Sequence, residues 1–294
     1  MSHAAGNPGH QAGADANRPT VHRYGAHPAQ FGELWLPDPA THDRAPLGTL
    51  VIIHGGFWRA RYDLSLWRPL AADLAARGYV AWNMEYRRAL AGGGWPGTFE
   101  DVAAGLDLLA TLSVSTGRPV DTSQVIAVGH SAGGHLAAWA AGRAKLPPGA
   151  PGAPGASGRY FVPLAGVIAQ AGVLALADCA RERVGGTAAP DLMGGGPADR
   201  PDQYRLADPL AAVPVTAPVL CLHSRGDDNV PFSYSERYVA AARAAGGRAG
   251  LVELSGDHFT LIDPATPDWA AVIAALPGLA AGRHPALQPG ADLP

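Results

Sequence analysis

The feature that most narrows the fold is an alternation of short apolar runs with segments of helical period, sustained from residue 49 to residue 276. Residues 49–53, 79–84, 125–128, 166–169, 218–223 and 249–254 read as strands. Residues 66–77, 98–112, 132–142, 232–245 and 268–276 read as helices, the first ended by the stop signal of Gly78. Such alternation implies an α/β fold, a mostly parallel central sheet with helices on both faces. In such sheets ligands gather at the carboxyl ends of the strands, so residues just past each strand are the first place to look for chemistry.

Composition agrees with one sizeable buried core. Of 294 residues, 47% are hydrophobic and 16% charged, too apolar for a chain disordered over most of its length. A net charge of −3, with no basic run, argues against nucleic acid or an anionic membrane surface as partner. No stretch approaches the roughly 18 apolar residues of a membrane span. The first residues lack the apolar centre of a signal peptide, so the cytoplasm is the expected location. The two cysteines, Cys179 and Cys221, are too few for a disulfide scaffold, and Cys221 lies in an apolar run as a small buried hydrophobe. The organisation expected is a flexible lead-in over 1–20, one domain over 21–282 and a flexible tail over 283–294. Within the domain, the Pro- and Gly-rich stretch 147–158 reads as a flexible surface loop.

The strand at 125–128 runs directly into Gly129-His130-Ser131-Ala132-Gly133 and then into a helix. This is the G-x-S-x-G pattern in the setting it requires, a serine raised on a sharp strand-to-helix turn. Glycines two residues either side remove side chains that would strike the neighbouring strand and helix. The helix dipole favours negative charge beside Ser131, the expected nucleophile. Upstream, the strand at 49–53 leads into His54-Gly55-Gly56-Phe57-Trp58. Attack on a carbonyl creates an oxyanion, which needs backbone N–H donors aimed at it. The expected donors are the amides of Gly56, Phe57 and Ala132, with His54 in a structural hydrogen-bonding role.

The acid should follow the strand at 218–223. Asp227 fits best, with the adjacent Asp228 as the alternative. The base should follow the next strand, and His258 is the histidine between Asp227 and the tail. The order Ser, Asp, His is that of one of the three unrelated arrangements of this triad. A carboxylate at Asp227 would hold the tautomer of His258, which would take the serine proton.

Together His54-Gly55-Gly56-Phe57-Trp58, Gly129-His130-Ser131-Ala132-Gly133-Gly134-His135, Asp227-x-x-Val230-Pro231 and Gly256-Asp257-His258 resemble the α/β-hydrolase esterases. More narrowly they are similar to the branch of kynurenine formamidase-like and feruloyl-esterase-like carboxylesterases, as is the segment Trp82-Asn83-Met84-Glu85-Tyr86-Arg87-Arg88. The resemblance spans roughly residues 30 to 276. It departs from the hormone-sensitive-lipase branch at Phe57, where that branch usually carries a third glycine. It implies hydrolysis of carboxylic esters of small to medium acyl groups through an acyl-serine, with arylformamidase activity on N-formylkynurenine-type amides as the alternative. A ligand-binding relative without catalysis is disfavoured by the presence of His258. No cofactor or metal is expected: Ser131 replaces the middle glycine of a dinucleotide motif, H-E-x-x-H is absent, and the spacing of His130 and His135 does not align both on one helical face. The expected partner is a small-molecule ester or amide, and a homodimer is compatible with the exposed edge strands of such folds.

Trp58 and Arg59 follow the oxyanion loop and are the candidate pocket residues with Trp95. The interval 171–204, with Gly185-Gly186 and Gly194-Gly195-Gly196, falls where these folds insert lids, and a small mobile lid is expected there.

Overall fold

The computed structural model describes residues 18–42, 44–116, 120–288 and 291. Its strands are β1 (Thr20–Arg23), β2 (Phe31–Trp35), β3 (Thr49–Ile53), β4 (Val80–Met84), β5 (Val125–His130), β6 (Gly166–Gln170), β7 (Val219–Ser224) and β8 (Ala249–Leu254). They form one sheet in the order β1-β2-β4-β3-β5-β6-β7-β8. The pairs β1–β2 and β2–β4 are antiparallel and all others parallel. The helices are α1 (Arg68–Ala76), α2 (Gly97–Thr116), α3 (Ala132–Ala141), α4 (Leu176–Arg181), α5 (Ala188–Met193), α6 (Pro201–Ala207), α7 (Ser233–Ala244) and α8 (Pro267–Ala280).

The pleat divides the apolar runs between two cores. β3 sends Val51 and Ile53 to one and Leu50 and Ile52 to the other; β5 divides Val125 and Ala127 from Ile126 and Val128 in the same way. A strand buried on both faces must read as a continuous apolar run, which is why these strands stand out in the sequence. Helices α2, α3 and α7 cover the first face, and α1 and α8 the second. On the first face the Arg143 guanidinium makes a two-pronged bond to Asp107, both fully buried.

Four segments bear on the expected organisation. The expected lead-in over 1–20 lies outside the described residues up to residue 17, and Thr20 opens β1. The 147–158 stretch is a run of turns tied to the core: Arg143 Nε donates to the Gly152 carbonyl at 2.7 Å, and Ser157 donates to Asp107 at 2.9 Å. In the expected tail, Pro285–Leu287 forms a helical turn that buries Leu287 in the second core. Residues 171–204 hold α4, α5 and the start of α6, whose side chains Leu176, Cys179, Ala189 and Leu192 are fully buried. An element with that much buried apolar surface is a packed cap, which opens only against its share of the core energy.

The strand order sets where a crevice opens at the carboxyl ends of the strands. From β3 the chain steps to β4 on one side, and β5 then returns to the other side of β3. That reversal is the topological switch point of an open α/β sheet. Ile53 pairs with Gly129 at the carboxyl ends of β3 and β5, so the oxyanion loop and the elbow leave the sheet side by side.

Candidate active site

Ser131 sits at the tip of the elbow with φ 55° and ψ −118°, in strained backbone that a packed surrounding must hold. Its amide donates to the Gln170 carbonyl at 2.8 Å, and its own carbonyl accepts from Val173 and His135. The flanking glycines are dictated by contact distances. A Cβ on Gly129 would stand 2.1 Å from the Gly133 carbonyl oxygen, and one on Gly133 only 1.9 Å from that of Ile53. Ala132 opens α3, so its amide has no intrahelical partner.

The oxyanion loop turns through left-handed backbone at Gly56 (φ 108°), Phe57 (φ 51°) and Trp58 (φ 54°). Gly55 packs against the elbow, where an added Cβ would meet the His130 carbonyl oxygen at 2.7 Å and the Ser131 Cβ at 3.1 Å. Among the described residues, the amides of Gly56, Phe57 and Ala132 donate to no protein group. These three amides are thus left without a protein acceptor among the described residues, in the two loops that Gly55 packs together.

A buried network holds this loop from behind. His54 donates from Nε2 to Glu85 at 3.0 Å, and its Nδ1 lies 2.9 Å from the Gly55 carbonyl oxygen. Tyr86 stacks on the His54 ring at 4.2 Å and donates its hydroxyl to the His54 carbonyl. Glu85 also accepts from the Leu64 and Tyr86 amides and pairs with Arg88. Burial pushes the Glu85 carboxyl upward, but the bond and charge of His54, with Arg88 and the Tyr86 amide, outweigh it and hold the group below its ordinary value. The structural role expected of His54 is what the geometry shows. In the sequence Glu85 and Tyr86 stand out only as part of the segment 82–88, since one polar pair at a strand end carries no signal of its role.

Asp227 and His258 meet directly. His258 donates from Nδ1 to Asp227 Oδ2 at 2.6 Å, and the Asp227 side chain is fully buried. The other carboxylate oxygen accepts from the amides of Asn229 and Val230, each at 2.8 Å. Burial raises the Asp227 pKa, yet the bonds from His223 and His258, the charge of His258 and the Val230 amide overcome it and hold it far below the usual carboxylate range. Asp228, by contrast, is exposed and bonds to Asn229. Geometry therefore decides between the adjacent acids in favour of Asp227.

The loop that carries His258 is fixed at both ends. Asp257 caps the turn by accepting from the Phe259 and Thr260 amides, and Ser224 at the end of β7 donates to the Gly256 carbonyl. Gln170 at the end of β6 donates to the Leu261 carbonyl at 2.8 Å. His130, the residue before Ser131, donates from Nε2 to the His258 carbonyl at 2.8 Å, with the two rings 4.5 Å apart. This bond ties the base loop to the elbow. Burial, and next the charge of His258, lowers the His130 pKa to about 3, so its ring is neutral. Among the described residues, the Ser131 hydroxyl makes no hydrogen bond to a protein group.

The candidate pocket residues separate. Trp58 is fully buried with its ring edge-on to His135 at 5.1 Å. It is a core residue rather than a pocket wall, because the left-handed turn at 57–58 rotates it inward. Trp95 is partly buried, packs on Phe99 at 5.0 Å and donates its amide to the Leu192 carbonyl, so it supports the cap. Arg59 is at the rim. Its Nη2 donates to the Gly185 carbonyl at 2.6 Å, and a Cβ on Gly185 would stand 2.4 Å from the Phe57 ring. The cap thus docks on the oxyanion loop through Phe57 and Arg59. Two clefts of about 490 Å³ lie elsewhere, one beside Gln30 and Asp101, the other beside Asp63 and Arg88. Both cysteines are buried and free, their thiols pushed up to about 12 chiefly by burial. Among the described residues, no group of acidic, His or Cys side chains is arranged to hold a metal, and no helix is long and apolar enough to cross a membrane.

A family model for BD-FAE matches residues 34–241, well over half the chain. The chain belongs to the BD-FAE family. No curated protein matches it significantly. Among solved structures, this BD-FAE member is similar to esterase B from Lactobacillus rhamnosus (HN001) at TM-score 0.74 and 19% identity, over 91% of this chain and 87% of that one. It is similar to a truncated carbohydrate esterase from gut microbiota at TM-score 0.71 and 18% identity, over 91% and 98% of the two chains. A propionate-bound esterase from Thermogutta terrifontis follows at TM-score 0.66 and 22% identity, over 91% and 94%. With the strand order above, these likenesses establish the α/β-hydrolase fold.

Proposed function

We propose that this BD-FAE family member is a serine carboxylesterase that cleaves esters of small to medium acyl groups through an acyl-serine intermediate. The observation that carries the reading is the 2.6 Å bond from His258 Nδ1 to the buried Asp227 carboxylate, in a loop tied through His130 to the strained Ser131 turn. With Nδ1–H committed to Asp227, Nε2 is the ring atom left to accept a proton.

Ser131 Oγ attacks the ester carbonyl carbon while its proton passes to His258 Nε2. The carbonyl oxygen becomes an oxyanion held by the amides of Gly56, Phe57 and Ala132, each donor being worth on the order of 10²–10³ in rate. The carbon–oxygen bond to the alcohol then breaks, and the imidazolium returns its proton to the departing alkoxide. Water repeats the sequence on the acyl-serine, giving the carboxylic acid and free Ser131. Asp227 stabilises the imidazolium in both halves and stays ionised throughout. The docking of the cap on the loop after β3, through Phe57, Arg59 and Gly185, supports a short acyl chain, and the esterase with bound propionate has the same fold.

The test is kcat/KM for p-nitrophenyl acetate, butyrate and octanoate beside N-formylkynurenine. Acetate or butyrate should be turned over fastest, and Ser131→Ala should abolish turnover. Faster cleavage of the formyl amide than of every ester would replace the ester assignment with an arylformamidase.

A further inference from the structure

His223, the fifth residue of β7, is a fully buried histidine that the mechanism above does not use. Its Nε2 lies 3.2 Å from Asp227 Oδ2, the same oxygen that accepts from His258, and 3.1 Å from the Val230 carbonyl oxygen. Both neighbours are acceptors, so Nε2 carries the hydrogen. Its Nδ1 lies 2.8 Å from Ser235 Oγ at the start of α7. A neutral ring with Nε2–H has an acceptor at Nδ1, which the serine hydroxyl fills. Ser235 thereby fixes the tautomer of His223 as Asp227 fixes that of His258.

We propose that His223 is a positioning residue for the reaction: its Nε2–H holds Asp227 Oδ2 in line with His258 and takes up part of the carboxylate's charge. This rests on the triad reading above. Every other acceptor site on Asp227 is filled by backbone, with Asn229 and Val230 on Oδ1, so the shared oxygen alone is steered by a side chain other than His258. Other titratable groups near the cluster are His130 in the elbow and the Cys221 thiol, whose neighbour is Ser235, both buried and neutral near pH 7. Farther out, Asp228 and Asp257 stand beside Asp227 and His258 in their loops, and Arg225 stacks on the outer side of the Phe232 ring. The ring of Phe232 closes the cluster at 5.4 Å.

The consequence concerns basicity. A donor on Oδ2 disperses charge that would otherwise bind the His258 imidazolium more tightly. Removing it concentrates that charge, so His258 should hold a proton to higher pH and return it less readily to the leaving group. One hydrogen bond of ordinary strength moves the pKa of a neighbouring histidine by about 0.5 to 1 unit.

Two polar replacements separate positioning from packing. In His223→Asn the side-chain amide reaches the place of Nδ1, keeping Ser235 but losing Asp227. In His223→Gln the amide reaches the place of Nε2, keeping the donor on Asp227. Each is followed by the acid limb of kcat/KM and by ¹⁵N NMR titration of the His258 ring in a Ser131→Ala background, which needs no turnover. His223→Asn should raise the His258 midpoint by about 0.5 to 1 unit and lower kcat on the order of tenfold with KM unchanged, while His223→Gln stays close to the parent. Equal effects of the two variants, an unshifted His258 in His223→Asn, or failure of both to fold would assign His223 to packing alone and overturn the proposal. If Ser131→Ala is inactive while His223→Asn titrates like the parent, only this inference fails. If Ser131→Ala retains full activity, the triad reading falls and takes this inference with it.

Discussion

Replacing Asp227 by asparagine isolates the tautomer argument, because the amide keeps the shape and removes one acceptor. The carboxylate accepts four bonds, two from backbone amides on Oδ1 and two from His258 and His223 on Oδ2. An amide has one oxygen and one NH₂, so one side must face donors with a donor. Backbone N–H groups cannot turn away, whereas an imidazole can change tautomer. The oxygen therefore stays on the Asn229 and Val230 side, and the NH₂ faces the histidines. His223 keeps its Nε2 hydrogen because the Val230 carbonyl still accepts it. His258 must present an unprotonated Nδ1, which places its hydrogen on Nε2, toward Ser131, where a base is required. Loss of the correct tautomer in a triad costs about 10⁴ in kcat, or roughly 5.5 kcal/mol of barrier. For Asp227→Asn the expected result is a fall of three to four orders of magnitude in kcat for p-nitrophenyl butyrate, with KM within a few-fold of the parent. Far-ultraviolet dichroism and urea midpoints would verify that the variant folds, and Asp228→Asn is the control that retains activity. A value of kcat for folded Asp227→Asn within tenfold of the parent would refute the tautomer reasoning.

Three further outcomes follow from packing and charge. Gly133→Ala would place a Cβ 1.9 Å from the Ile53 carbonyl oxygen; the backbone must shift at the elbow, so activity should fall at least 100-fold at the price of the strained turn, and near-parental kcat would contradict the contact argument. Arg143→Leu leaves Asp107 buried without its cation; unfolding free energy by urea titration should drop by about 3–5 kcal/mol, and a loss below 1 kcal/mol would show the pair to be dispensable. His135 is fully buried, and desolvation lowers its pKa from 6.5 to about 4. A depressed histidine stays neutral when folded and protonates when unfolded, so its effect is absent above pH 6.5 and grows as pH falls towards 4. Between pH 7 and pH 5 it should remove about 2 kcal/mol of stability, a slope that His135→Phe should lessen and that would be disproved by parallel pH profiles.

How much of this was legible in the sequence depends on what each element packs against. The strands buried on both faces declare themselves as apolar runs, Thr49–Ile53 with the expected bounds. β1 and β2 do not. Thr20–Arg23 is largely exposed, and Phe31–Trp35 is interrupted by Gly32, which lies beneath the Trp82 ring, and by Glu33, which binds Arg68. Their pattern is set by partners distant in the chain. The cap helices were obscured by their glycines: Gly194 caps α5 in left-handed backbone, and Gly185 and Gly186 lie in the turn that joins α4 to α5. For the site, Ser131, Asp227 and His258 could be found because their loops follow readable strands. Glu85 and Trp58 could not, since His54 and His135, which they meet, lie far off in the chain. His223 is only four residues from Asp227, but burial and ring direction, not residue type, bring the two together. Trp58 shows the limit well: two left-handed residues reverse the side of the chain on which it falls, and nothing in the residue types announces that reversal.

The account stands on Ser131 as an activated nucleophile, and covalent capture reads that out without assuming a substrate. The protein is treated with a fluorophosphonate probe at pH 7.5, digested and analysed by mass spectrometry, beside His258→Ala. A single adduct on the peptide carrying Ser131, formed at least 100-fold more slowly in His258→Ala, is the predicted result. An unmodified Ser131 in active enzyme, or labelling that proceeds equally well without His258, would contradict it.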